Sequence, residues 1–104
     1  MQTQVGERVG AILSANAETV QFLGYGTFQG EVVPDDPAVG FMGVSFQELN
    51  RTNPCILLDN GDKVYDCECW WGSEEKVREM IGERTVVEVR IADYRPKPPG
   101  AVQG

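Results

Sequence analysis

The chain has 104 residues, 41% of them hydrophobic, a formal net charge of −7 and no histidine. This length suits one domain with one modest core, the acidic balance argues against nucleic acid as a partner, and the lack of histidine removes Ser-His-Asp and Cys-His catalysis. The N-terminus lacks the features of a signal peptide, and no apolar run approaches the roughly 20 residues that span a bilayer. We therefore expect a cytoplasmic protein with no membrane partner.

The first part of the chain predicts a β-hairpin whose second strand continues through glycines. Residues 8–15 and 19–23 are rich in apolar and β-branched side chains and are separated by a short turn. Three glycines follow within residues 24–30, a pattern that cradles phosphate only where a helix begins at the last glycine. An extended stretch ending at Pro34 follows instead. We interpret the glycines as bends in a strand that continues to Val33.

The next segment predicts a helix. Residues 37–50 carry apolar side chains at nearly helical spacing, and Asp36 can cap the N-terminus. Gly40 and Gly43 weaken the pattern by about 1 kcal/mol each relative to alanine, so the helix could restart at Ser45. We expect its apolar face to pack on the sheet.

The second half of the chain predicts a hairpin, a second helix and a last strand. An Asn-Gly pair within residues 59–62 separates the apolar segments 54–58 and 63–71, which is the strongest short-range hairpin signal. A serine cap, acidic residues in the first turn and a glycine stop indicate a helix over residues 73–81. Alternation of apolar and charged residues indicates a strand over residues 85–92.

Together these elements predict one α+β domain over residues 1–94. It would contain a mostly antiparallel twisted sheet of about five to six strands and two short helices. Residues 95–104 predict a flexible tail rich in proline and glycine.

The motif CECWWG in residues 67–72 concentrates the chemistry of the chain. Three cysteines without a secretion signal argue for free thiols. Cys67 and Cys69 would share one face of a strand, and the hairpin loop decides whether Cys55 joins them. A two-residue Asn60-Gly61 loop puts Cys55 on the opposite face, whereas a three-residue loop puts all three thiols together. We expect the shorter loop, core cysteines, and no metal or other cofactor; a cysteine-based zinc domain is an alternative.

The other face of the same predicted strand carries two carboxylates. Asp66 and Glu68 would stand roughly 6–7 Å apart, near the separation found in inverting glycosidases. A small hydrolase using these two residues is therefore a second alternative. Any strand with this D-x-E pattern has the same spacing, so a solvent-facing acidic strand explains it as well.

The paired tryptophans suggest a binding surface. Trp70 and Trp71 would point to opposite sides of a strand, so one is a core anchor and Trp70 is expected to be partly exposed. Tyr25 and Phe28 from the glycine-bent strand, with Glu68, would complete an acidic aromatic surface. We expect a non-enzymatic binding or modulator module that holds a protein partner or a small apolar or cationic ligand there. A homodimer covering the same aromatic residues is also compatible with the pattern.

The segment N-P-x-I-L-L-D-x-G-x-x-V-x-x-C-E-C-W-W-G, from Asn53 to Gly72, resembles small uncharacterised proteins carried by mobile elements such as phages or integron gene cassettes. The resemblance covers about a fifth of the chain. It implies no reaction and no site residues, and it favours a compact accessory or modulator protein over a metabolic enzyme.

Overall fold

Two long strands, β1 (Arg8–Ala15) and β2 (Thr19–Val32), lie at the centre of a mostly antiparallel six-stranded sheet in the computed structural model, which describes residues 3–41 and 44–95. The remaining elements, in chain order, are β3 (Gly40–Phe41), β4 (Val44–Ser45), β5 (Asn53–Leu58), β6 (Lys63–Tyr65), a 3₁₀ helix (Asp66–Glu68), β7 (Trp70–Ser73), α1 (Glu74–Ile81), β8 (Thr85–Glu88) and a second 3₁₀ helix (Ile91–Asp93). The expected α+β character and antiparallel sheet are confirmed.

The sheet is strongly curled. Five of its strands are hydrogen-bonded in the order β6-β5-β2-β1-β7. In a flat sheet, four inter-strand spacings of about 4.8 Å would put β6 and β7 about 19 Å apart. Only residues 66–69 join these two strands, and three of them form a 3₁₀ helix that advances about 2 Å per residue. The two ends of the path must therefore approach one another, and the inner face of the sheet encloses a core.

The two faces of β1 pack into different apolar clusters. Val9 and Ala11 face inward and Ile12 faces outward, as the alternation in this strand predicts. The inner cluster consists of Val9, Ala11, Leu23, Phe28, Ile56, Leu58, Val64 and Ile91. The outer cluster, which lies under α1, consists of Ile12, Val20, Phe22 and Val77. Burying both faces explains why this central strand has few polar residues.

The predicted bends in β2 are confirmed. Leu23 is an extra residue in the pairing with β1, because Ala11 lies opposite Gly24 and Ile12 opposite Phe22. Gly24 has a φ of 139°, which disfavours any side chain. Such a bulge increases the local twist of the strand, and β5 pairs with the segment of β2 that follows it, from Gly26 to Val32.

β8 and β5 pair with the same edge of β2, β8 with its N-terminal part and β5 with its C-terminal part. β8 pairs in parallel with residues 19–22, while β5 pairs antiparallel from Gly26 to Val32. The sequence predicts the last strand over residues 85–92, but β8 ends at Glu88 and a second 3₁₀ helix begins at Ile91. A gap on the edge of β2 remains between the two partners.

The helix α1 is confirmed at its predicted place. The Ser73 hydroxyl accepts the N–H of Lys76, and Gly82 ends the helix with a φ of 50°. None of the helices in the described part of the chain is long and apolar enough to cross a membrane. The predicted tail lies outside the described residues except for Arg95.

The predicted helix over residues 37–50 is wrong: α1 is the only α-helix within residues 3–41 and 44–95. Asp36 caps a turn by accepting the N–H of Ala38, and the short strands β3 and β4 follow. A Cβ on Gly40 would lie 2.0 Å from the Val44 carbonyl oxygen, so this close strand approach needs glycine. The low helix propensity of glycine therefore prevails over the apolar spacing.

The predicted two-residue hairpin loop is also wrong. The N–H of Leu58 donates to the carbonyl of Asp62 at 2.8 Å, and Cys55 lies opposite Tyr65, as in the three-residue alternative. Gly61 takes a φ of 97°, which suits a loop of this length. The predicted strand over residues 63–71 breaks after Tyr65, where the first 3₁₀ helix begins. The face assignments of the CECWWG motif therefore change.

Candidate functional site

The curl of the sheet separates the four predicted site residues. Phe28 lies in the inner cluster and stacks on Trp71, with ring centroids 5.1 Å apart. Glu68 lies in the first 3₁₀ helix and pairs with Arg95. Tyr25 packs with the outer cluster, on the same face of the sheet as Trp70. The predicted surface is therefore not assembled as one unit.

Glu68 is part of a mostly buried ion pair. Arg95 donates from Nε and Nη2 to the two oxygens of Glu68 at 2.6 and 2.7 Å, and from Nη1 to Asp36 at 3.1 Å. Its Nη2 also donates to the carbonyl of Lys63 at 2.8 Å. The side chains of Arg95 and Glu68 are only 14% and 11% exposed, and the bonds to Glu68 raise the pKa of Arg95. This arrangement clamps three segments together and occupies both oxygens of Glu68.

Asp66 lies in the same 3₁₀ helix and accepts the indole N–H of Trp71 at 2.8 Å. The strand spacing on which the hydrolase alternative depends is thus not formed. Asp66 fixes the orientation of the half-buried Trp71 ring, and Glu68 holds Arg95. Both carboxylates consequently serve contacts within the fold.

The three thiols are dispersed. Cys55 is buried in a third cluster with Val39, Phe46 and Tyr65, Cys69 packs against the inner cluster, and Cys67 is exposed. Burial raises the pKa of the Cys69 thiol from 9.0 to about 12 and also raises the pKa of Cys55, whereas partial desolvation and the neighbouring Glu68 carboxylate raise the pKa of Cys67. No group of three or more metal-ligating side chains is present among residues 3–41 and 44–95.

Trp70 is 42% exposed, as the sequence predicts, and Trp71 is half-buried. The Trp70 ring lies beside Gly72, where an added Cβ would stand 3.2 Å from the ring. Gly72 pairs with Gly10, which in turn pairs with Tyr25. The buried side chain of Val77 covers this row at Gly10. Trp70 therefore lies at the open margin of a face that α1 otherwise covers.

A cleft of about 210 Å³ opens where β8 leaves the edge of β2 and β5 begins. We call it the seam cleft. Tyr25 lines it, together with Glu88 at the end of β8, and its full lining consists of Phe22, Leu23, Gly24, Tyr25, Leu58, Asp59, Asn60 and Glu88. Phe22 and Tyr25 meet edge to face with centroids 4.9 Å apart, which forms an aromatic wall.

The charges at the seam cleft are unequal. Asp59 accepts two hydrogen bonds from Arg8, at 2.6 and 2.8 Å, and these lower its pKa. Glu88 is exposed and makes no ion pair within the described residues. The guanidinium of Arg78 already lies 5.8 Å from the centre of the Tyr25 ring. The cleft thus combines an unpaired carboxylate with an aromatic ring that attracts cations.

Two other depressions are less suited to bind a ligand. A wide one of about 480 Å³ lies beyond the C-terminus of α1 and has no aromatic side chain in its lining. Another of about 210 Å³ is lined by Cys67, Tyr94 and the paired side chains of Glu68 and Arg95. In the second, the charged groups already satisfy one another.

Sequence reasoning missed Phe22 and Glu88 as site residues. The alternation of the last strand does place Glu88 on its polar face. Its position opposite Phe22, however, depends on the parallel pairing of β8 with β2, which joins residues more than 60 positions apart. No local pattern indicates that pairing.

No protein-family model, curated protein or solved structure matches this chain. The resemblance of residues 53–72 to proteins of mobile elements therefore stays a prediction.

Proposed function

We propose that this protein is a non-enzymatic binding module that accepts a cationic group, such as the ammonium of a lysine, in the seam cleft. The observation that carries the proposal is the unpaired carboxylate of Glu88 beside the aromatic wall of Phe22 and Tyr25. A carboxylate supplies charge, and an aromatic ring attracts a cation without demanding strict hydrogen-bond geometry. A net charge of −7 draws cationic partners toward the molecule as a whole.

The size of the cleft limits the occupant. A volume of about 210 Å³ is below the roughly 300–1,000 Å³ of typical small-molecule pockets. It suits one side chain or one alkylammonium group. The ring of Tyr25 can contact the aliphatic part of a lysine, while its ammonium reaches Glu88.

The expected affinity for an isolated cation is low. An exposed ion pair contributes about 0.2–1 kcal/mol and a cation–π contact about 0.5–2 kcal/mol. These sums fall short of the roughly 4 kcal/mol that corresponds to a Kd of 1 mM. The cleft therefore suits one anchoring group of a larger partner.

The test is a nuclear magnetic resonance titration with Nα-acetyl-lysine-N-methylamide and, as the neutral control, the corresponding norleucine compound. We expect the lysine probe alone to shift the backbone amides of Gly24, Tyr25, Leu58 and Glu88. The Glu88→Gln variant should lose these shifts, whereas Glu75→Gln, the same charge change on the exposed side of α1, should retain them. Equal shifts with norleucine, or shifts that survive in Glu88→Gln, would contradict the proposal.

A further inference from the structure

We propose that the outer edge of β8 is the docking site for an extended basic segment of a partner protein, which adds a strand to the sheet and places a lysine or arginine in the seam cleft. The inference rests on the proposed function, because it assigns the cation to a peptide. It adds a second contact surface, the backbone of β8, which a free ammonium compound does not use.

The backbone of β8 is paired on one side only. The N–H of Thr85 donates to the carbonyl of Glu18 at 2.8 Å, and the N–H of Val89 donates to the carbonyl of Phe22 at 3.0 Å. Alternate residues of a strand direct their N–H and C=O groups to opposite edges. Those of Val86 and Glu88 therefore point away from β2, and no other described strand pairs with β8. Two residues thus offer donors and acceptors to an incoming strand.

The side chains of β8 are exposed on both faces of the sheet. Val86 and Val87 lie on opposite faces and are 41% and 42% exposed. Apolar side chains on an open edge are a liability that proteins usually reduce with charges or by covering the edge. A strand laid against β8 would contact both valines. The occupant is therefore an extended chain with β-branched or other apolar side chains.

The charge decides between a partner and a second copy. Glu88 ends β8, lies in register with Phe22 and lines the seam cleft, so the cleft lies at the C-terminal end of β8. A strand on this edge would direct every second side chain toward the face that carries Glu88. A basic side chain meets an opposite charge there, whereas a second copy of this chain brings another −7 of net charge. Backbone bonds then supply affinity and the cleft supplies specificity.

The test compares the single capped lysine with the peptide acetyl-Thr-Val-Lys-Val-Thr-amide on three proteins. On the native protein we expect the peptide to bind at least about tenfold more tightly, because added backbone bonds contribute about 1 kcal/mol each. Val86→Pro removes an outward N–H and leaves the ladder with β2 intact, so it should weaken the peptide about five- to tenfold and leave the capped lysine unchanged. Glu88→Gln should weaken both ligands.

A second measurement does not depend on the folding of the proline variant. In the bound peptide, either the backbone N–H of the lysine or those of the two valines point toward β8. Peptides N-methylated at the lysine or at both valines test these two orientations, and one of them should bind the native protein as weakly as the capped lysine does. If the peptide binds no more tightly than the capped lysine, or if neither Val86→Pro nor N-methylation weakens its binding, the edge inference is overturned and the proposed function stands. If Glu88→Gln weakens the binding of neither ligand, the proposed function is overturned, and the edge inference that rests on it is overturned as well. Analytical ultracentrifugation tests for a dimer. If the native protein is dimeric and Val86→Pro makes it monomeric, the edge binds a second copy of the chain and the assignment to a peptide partner is overturned.

Discussion

Replacing Arg95 by alanine should destabilise the protein far more than its position as the first residue of the predicted tail suggests. Arg95 donates four hydrogen bonds to Glu68, Asp36 and the carbonyl of Lys63. The substitution leaves the carboxylate of Glu68, only 11% exposed, without its partner. Breaking a buried ion pair from one side costs about 3–5 kcal/mol, and the remaining exposure lowers this to about 2–4 kcal/mol.

A matched surface pair supplies the control. Arg8 also donates two hydrogen bonds to one carboxylate, that of Asp59, at 2.6 and 2.8 Å, and lies 3.5 Å from Glu74, but the side chains of Arg8 and Asp59 are 46% and 60% exposed. Such an exposed pair contributes little to stability, because water screens its charges. Arg8→Ala should therefore lower Tm by no more than about 5 °C, and Arg95→Ala by about 10–20 °C.

Thermal and urea denaturation followed by tryptophan fluorescence measure both variants, because Trp71 packs against the inner cluster. The double variant Arg95→Met, Glu68→Met should recover most of the lost stability, since it removes the stranded charge. An Arg95→Ala variant no less stable than Arg8→Ala would refute the view that this pair clamps the fold.

Three further predictions concern the backbone and the thiols. Gly26→Ala should disrupt the pairing of β2 with β5, because the new Cβ would lie 2.3 Å from the Leu57 carbonyl oxygen. Gly61→Ala, which meets open space but keeps a φ of 97°, should cost only about 1–2 kcal/mol, and denaturant midpoints compare the two. One thiol, Cys67, should react with Ellman's reagent before the less exposed Cys55 and Cys69, all three should react in denaturant, and Cys67→Ser should remove the fast phase. Because burial raises the folded-state pKa of the Cys69 thiol from 9.0 to about 12, its contribution to stability is complete below pH 9 and is lost as the pH rises from 9 to 12. Cys69→Ala should therefore have a shallower decline of unfolding free energy over that pH range, and an unchanged slope would contradict this assignment.

Local signals served best where one element's own residues decide its conformation. The serine cap and glycine stop of α1 act within a few positions of the helix, and the structure has both. The alternation of inward-facing and outward-facing residues in β1 is a local property of an extended strand, and β1 has the predicted bounds. In both elements, propensity, patterning and tertiary packing agree.

Local signals failed where packing from elsewhere competes. In residues 37–50 the apolar spacing suits a helix, yet the burial of Val39 and Phe46 on Cys55 and Tyr65 is achieved by short strands and turns. In the hairpin, one residue of loop length reverses every face. The Asn-Gly pair marks the turn but does not decide between a two-residue and a three-residue loop.

The sequence by itself determined an acidic, histidine-free α+β chain with a central hairpin, a capped helix and one exposed tryptophan. These properties follow from composition, periodicity and caps, which act over a few residues. Only the tertiary structure decided that Glu68 is neutralised by Arg95 and that Phe28 is buried, while Glu88 is left beside Tyr25 at an open strand edge. The physical reason is that the curl of the sheet and the parallel pairing of β8 join residues distant in sequence, and whether a charge is paired depends on those contacts.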